Sequence, residues 1–135
     1  MKNITILTGD RMVWKGVIIE ESLFDKSILN LVKIVKTRKT TLEKESERGT
    51  LTFLYFELND KRKDEFVNKA LLVIKDRFYL HLCRDERMIV VYKNKVFEFS
   101  SNESDKIKQV RDYGLSIGIL REQMQFEELI KNPYG

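Results

Sequence analysis

Three times along the 135 residues, two extended runs joined by a turn give way to a run of helical period, and this rhythm constrains the fold more than any single residue does. Ile4-Thr5-Ile6-Leu7 leads through Thr8-Gly9-Asp10-Arg11 into Val13-Trp14-Lys15-Gly16-Val17-Ile18-Ile19, which reads as a first hairpin. From Ser22 the spacing changes. Phe24, Ile28, Leu31, Val32 and Val35 fall on one helical face, so a first helix is expected from about Ser22 to Lys36, with Ser22 as its N-cap and Asp25 three residues on. Extended runs at 39–45 and 50–57 then flank Ser46-Glu47-Arg48-Gly49 as a second hairpin.

The next unit opens at Asp60, a capping residue for a helix whose stripe is Phe66, Val67, Ala70, Leu71 and Ile74, with Asp76 and Arg77 ending it. A strand from Arg77 to Cys83 pairs with one from Arg87 to Tyr92 across Arg84-Asp85-Glu86, and Lys95-Val96-Phe97-Glu98-Phe99 adds another past Lys93-Asn94. A third helix starts at Asn102 or Ser104 and carries Ile107, Val110, Gly114 and Ile117 along one side. Gly114 marks a place of close approach, and Gly118 is the stop. The remaining apolar positions up to Ile130 suggest a short closing helix before Asn132-Pro133.

The turns near Gly9, Gly49 and Asp85 share a rhythm of elements and no residue identity, so no repeat is inferred. Several strands are apolar on one parity and mixed on the other. The expected class is α+β, a single domain over residues 1–135, with a mostly antiparallel or mixed sheet and helices on one face. From the second strand onward, strand, helix, strand, strand, helix, strand is the ferredoxin-like order, extended by extra strands and a C-terminal helix. That architecture hosts many unrelated activities.

Function classes narrow by composition. The chain has one histidine and one cysteine, the residue types from which most acid-base, nucleophilic and metal chemistry near neutral pH is built. One cysteine forms no internal disulfide, and the first residues lack the layout of an export signal, which points to a reducing cytoplasm. The longest apolar stretch, Ala70-Leu71-Leu72-Val73-Ile74, is far short of the roughly 20 residues that cross a bilayer. Net charge is +4, with cations in short groups beside acidic residues, so the fields partly cancel.

Four groups of residues carry what chemistry there is. Alternation along Phe78–Cys83 puts His81 and Cys83 on one strand face with Tyr79; the pair reads as a metal or thiolate site, or as a hydrogen-bonded imidazole beside a small buried thiol. Lys61, Arg62 and Lys63 oppose the helix dipole by about 0.3–1 kcal/mol each if they form a first turn, so they read as an anion site, or else as a loop before a helix that starts at Asp64 and Glu65. Lys36, Arg38, Lys39, Tyr55 and Tyr79 could form a basic-aromatic face for RNA or single-stranded nucleic acid. The strand order is also that of the RNA recognition motif, but Thr50 and Thr52 stand where its third-strand signature places stacking aromatics, and no family is assigned. Finally, Leu120, Met124, Phe126 and Leu129 either pack on the sheet or form a docking edge for a second copy.

No phosphate loop, nucleophile elbow, paired metal-ligand spacing or calcium loop occurs. The expectation is a small cytoplasmic, non-enzymatic binding or regulatory module with no cofactor or metal and no membrane partner, and with an unknown ligand. The alternative is a sequence-tolerant binder of RNA or single-stranded nucleic acid.

Overall fold

The computed structural model describes residues 12–40 and 49–135. Six strands form one sheet: β1 (Val13–Ile19), β2 (Lys33–Thr40), β3 (Leu51–Asn59), β4 (Leu80–Arg84), β5 (Arg87–Tyr92) and β6 (Lys95–Ser100). Their order is β2-β3-β1-β4-β5-β6, and every neighbouring pair is antiparallel. Among the described residues three helices accompany them: α1 (Lys63–Val73), α2 (Ser104–Ser116) and the single turn α3 (Phe126–Leu129). The class is α+β, as read from the alternation of periods. The arm at Ile4–Leu7, the Gly9 turn and residues 41–48 of the second hairpin lie outside the described residues.

Helices cover both faces of the sheet, which corrects the expectation of one covered face. Trp14, Ile18, Phe56, Leu58, Leu80, Leu82 and Ile89 join Phe66, Ala70 and Val73 of α1 in one apolar cluster. Cys83, Met88, Val90, Tyr92 and Phe99 join Ile107 and Val110 of α2 in a second. Alternate residues of β4 and β5 thus point into different clusters, and Leu80–Cys83 and Met88–Tyr92 are buried throughout. Their near-continuous apolar sequence is what burial on two faces demands.

The first helix does not form. Two 3₁₀ turns, Glu20–Ser22 and Lys26–Leu31, lead directly into β2, which begins at Lys33. Ile28 of the proposed stripe is fully buried, but Phe24 is 67% and Val35 42% exposed. Ile34, Val35, Thr37 and Thr40 are β-branched, and pairing with β3 settles a segment whose period was compatible with either state. A bulge between Ile34 and Lys36 takes Val35 out of register. Ser22 is no N-cap: its hydroxyl donates to the Ile19 carbonyl at 2.6 Å, while Asp25 accepts from the Ser27 amide at 2.9 Å.

Asp60 is likewise no cap. The Asn59 side chain accepts from the Lys61 amide at 2.8 Å, whereas Asp60 accepts from Trp14 Nε1 at 2.7 Å and pairs with Arg84 at 2.8 Å. These contacts tie the start of β1 to the end of β4 and hold the Asp60 carboxyl below its usual range, the Trp14 hydrogen bond being the largest cause. Two turns follow the sequence closely. Asp85 and Glu86, both at positive φ (51° and 64°), close the two-residue β4–β5 hairpin. Gly118, at φ 95°, ends α2 with the Ile119 amide bonded to the Gly114 carbonyl and the Gly118 amide to that of Leu115. At Gly114 the close neighbours are side chains: a Cβ there would lie 2.3 Å from Met124 Sδ and 2.9 Å from the Tyr92 hydroxyl.

After Gly118 the chain returns across the sheet. In place of one closing helix there are a 3₁₀ turn, Arg121–Gln123, and α3. Met124 and Phe126, read as half of a docking edge, are fully buried in one cluster with Tyr92, Phe99 and Ile107; Leu120 and Leu129 stay partly exposed. Among the described residues no helix is long and apolar enough to cross a membrane.

Candidate functional site

Among the described residues, the second sheet face is covered by α2 and α3 over β4–β6, and over β1, β2 and β3 by the C-terminal segment. Antiparallel partners share a face, so the register brings Val17 beside Tyr55 and His81, and Ile19 beside Phe53, which in turn pairs with Arg38. Between this floor and residues 119–135 lies a cavity of about 440 Å³. Phe53, Tyr55, Val17 and Ile19 form its apolar side; Arg38, Arg77, Glu122, Gln123, Gln125, Glu128 and Asn132 bring polar groups to its walls.

The roof is held by main-chain carbonyls that accept from sheet side chains. Tyr79 donates its hydroxyl to the Gln123 carbonyl, His81 Nε2 lies 2.7 Å from that of Pro133, and Cys83 Sγ donates to that of Leu129 at 3.6 Å. In the other direction, the Tyr134 hydroxyl donates to the Phe56 carbonyl at 2.9 Å, and its ring lies 5.5 Å from that of Tyr55. Beside the cavity, Arg111 Nε donates to the Met124 carbonyl at 3.2 Å. Each carbonyl is a fixed acceptor whatever the side chain above it, so these bonds leave little trace in the C-terminal sequence.

Burial sets the protonation of this wall. The His81 imidazole is 4% exposed, and burial pushes its pKa down to about 4. It is therefore neutral near pH 7, and its carbonyl partner requires the proton on Nε2. Burial pushes the Cys83 thiol up to about 12, and the Tyr134 hydroxyl, with Glu57 adding repulsion, also to about 12. Tyr79 is raised as well, chiefly by burial. A neutral imidazole and a protonated thiol bonded to separate carbonyls correspond to the structural alternative for this pair: they hold the roof. Among the described residues no three His, Cys, Asp or Glu side chains gather as a metal-ligand group.

The basic-aromatic set divides. Lys36 Nζ lies 5.5 Å from the Tyr55 ring; Arg38 Nε donates to the Tyr55 hydroxyl at 2.8 Å and its guanidinium stacks 4.8 Å from the Phe53 ring. Arg38, Phe53 and Tyr55 line the β2 end of the cavity, with Lys36 against the Tyr55 ring, and Tyr79 lines it from beside β4. Lys39 pairs with Thr52, one residue out of phase, and so belongs to the opposite face. The platform is also roofed, because Tyr134 covers Tyr55 and leaves it 6% exposed.

Lys61, Arg62 and Lys63 sit elsewhere, at the entry to α1. Lys61 and Arg62 are exposed in a 3₁₀ turn, while Lys63 pairs with Asp64 at 3.0 Å and stands 6.0 Å from the Trp14 ring. Asp64 and Glu65 form the acidic first turn of α1, and the Asn59 side chain takes the Lys61 amide. Sequence reasoning grouped Arg38, Tyr55 and Tyr79 as one face and His81 with Tyr79 and Cys83 as another; the fold brings Arg38, Tyr55, Tyr79 and His81 to one cavity. It missed Val17, Ile19, Phe53 and Tyr134, and strand alternation was the one signal available for the first three. No family model, curated protein or solved structure matches this chain.

Proposed function

We propose that this protein is a non-enzymatic binding module that holds a small, apolar-bodied molecule between the β1–β3 floor and residues 119–135. The observation that carries the reading is the cavity itself: at about 440 Å³ it falls in the range of about 300–1,000 Å³ typical of ligand pockets, with an apolar aromatic floor and polar groups around it. The non-enzymatic part is supported by His81 and Cys83, whose protonation states and carbonyl bonds suit neither proton transfer nor nucleophilic attack near neutral pH. A lone buried thiol suits a reducing cytoplasm. The strand adjacency β2-β3-β1-β4, with crossovers after β1 and β3, supports a ferredoxin-like ancestry in which 3₁₀ turns replace the first helix.

A single-stranded nucleic acid is the second reading, favoured by the common face of Lys36, Arg38 and Tyr55. Calorimetric titration with uncharged 1-naphthylacetamide and with a short oligonucleotide separates the two. A cavity binder takes up the first, and Val17→Phe, which fills the floor, removes that binding while the fold persists. Oligonucleotide affinity that falls steeply with salt, without naphthyl binding, supports the second reading and contradicts the first.

A further inference from the structure

We propose, resting on the cavity reading, that the ligand is a planar aromatic carboxylate whose anionic head pairs with Arg38 and whose ring lies against Val17, Ile19 and Tyr55. Of the charged side chains around the cavity, Arg38 has a guanidinium fixed from two directions: Nε donates to the Tyr55 hydroxyl at 2.8 Å, and Cζ stacks 4.8 Å from the Phe53 ring. A guanidinium held in this way has already lost the rotamer freedom that binding would otherwise remove. A guanidinium that gives Nε to Tyr55 would meet a carboxylate end-on, through its two terminal nitrogens, a bidentate geometry. Lys36, 5.5 Å from the Tyr55 ring, adds positive potential at the same end.

The β2 end sets the orientation. Glu122 and Glu128 of the C-terminal segment line the cavity together with Arg77, so that wall carries both signs of charge, whereas β2 contributes the cation Arg38. An apolar body then runs along the register pair Val17–Tyr55 toward Ile19. Tyr55, Tyr79 and Tyr134 supply ring edges and faces around that path, which favours a flat aromatic body over a flexible chain.

The test is calorimetric titration of the full chain with 1-naphthylacetate and with its uncharged amide at low salt. The carboxylate is expected to bind about tenfold more tightly than the amide. In Arg38→Gln the ratio falls to near one with the amide's affinity retained, and in Lys61→Gln, on the other side of the molecule, it is unchanged. Equal binding of the two compounds by the wild type overturns the anionic assignment and leaves the cavity reading standing. Binding of neither overturns both. A ratio that survives Arg38→Gln, or that collapses as much in Lys61→Gln, overturns the role given to Arg38.

Discussion

The imidazole of His81, on a central strand, lies 2.7 Å from the main-chain carbonyl of Pro133, 52 residues later, and ties the roof of the cavity to the sheet. An imidazole with an ordinary pKa of about 6.5 when unfolded is held by burial at about 4 in the fold. Between those values the unfolded chain binds more protons, so this contribution to stability is complete above about pH 6.5 and is lost as pH falls toward 4, by roughly 3 kcal/mol in all. Urea melts at pH 7 and pH 4.5 measure it, and His81→Gln should flatten the dependence. A wild-type midpoint that does not move between those conditions contradicts the assignment.

Cys83 offers a second check on the same wall. Its thiol is 3% exposed, bonded to the Leu129 carbonyl, and raised to about 12 by burial. Labelling by an aromatic disulfide at pH 7.5 should be at least about a hundredfold slower in the native protein than in denaturant, because reaction waits for opening. Rapid native labelling would return the thiol to the list of reactive groups.

Gly16 is the tightest point under the cavity floor. A Cβ built there would lie 2.0 Å from the His81 carbonyl oxygen and 2.7 Å from Phe56 Cζ, and backbone in a paired central strand cannot step aside as a side-chain end can. Gly16→Ala should therefore destabilise by about 3 kcal/mol, with the β4 amides losing exchange protection first. An unchanged denaturation midpoint shows that β1 and β4 are not packed this closely.

The legible parts of this fold are those with local causes. Asp85-Glu86 and Lys93-Asn94 declared their hairpins through short polar turns, and Gly118 declared the end of α2, because turn chemistry acts over a few residues. Phe66, Ala70 and Ile107, Val110 declared their helices through spacing. Residues 22–36 misled because Ile28, Leu31, Val32 and Val35 satisfy a helical period while strand pairing, a long-range term, decides the outcome. The cavity was harder still: its floor joins four strands, and its roof is tied by carbonyls that carry no residue identity. The grouping of Arg38, Tyr55 and Tyr79 was visible; their meeting with His81 and the C-terminal segment was not.

The central claim, that the space beneath residues 119–135 holds a small aromatic molecule, is tested most directly by amide chemical-shift mapping of the labelled protein during titration with 1-naphthylacetate. Saturable shifts centred on Val17, Ile19, Phe53, Tyr55 and His81, together with the amides of Gln123 and Tyr134, are the predicted result. Shifts that do not saturate, or that fall on α1 and the opposite face while these amides stay still, would contradict it.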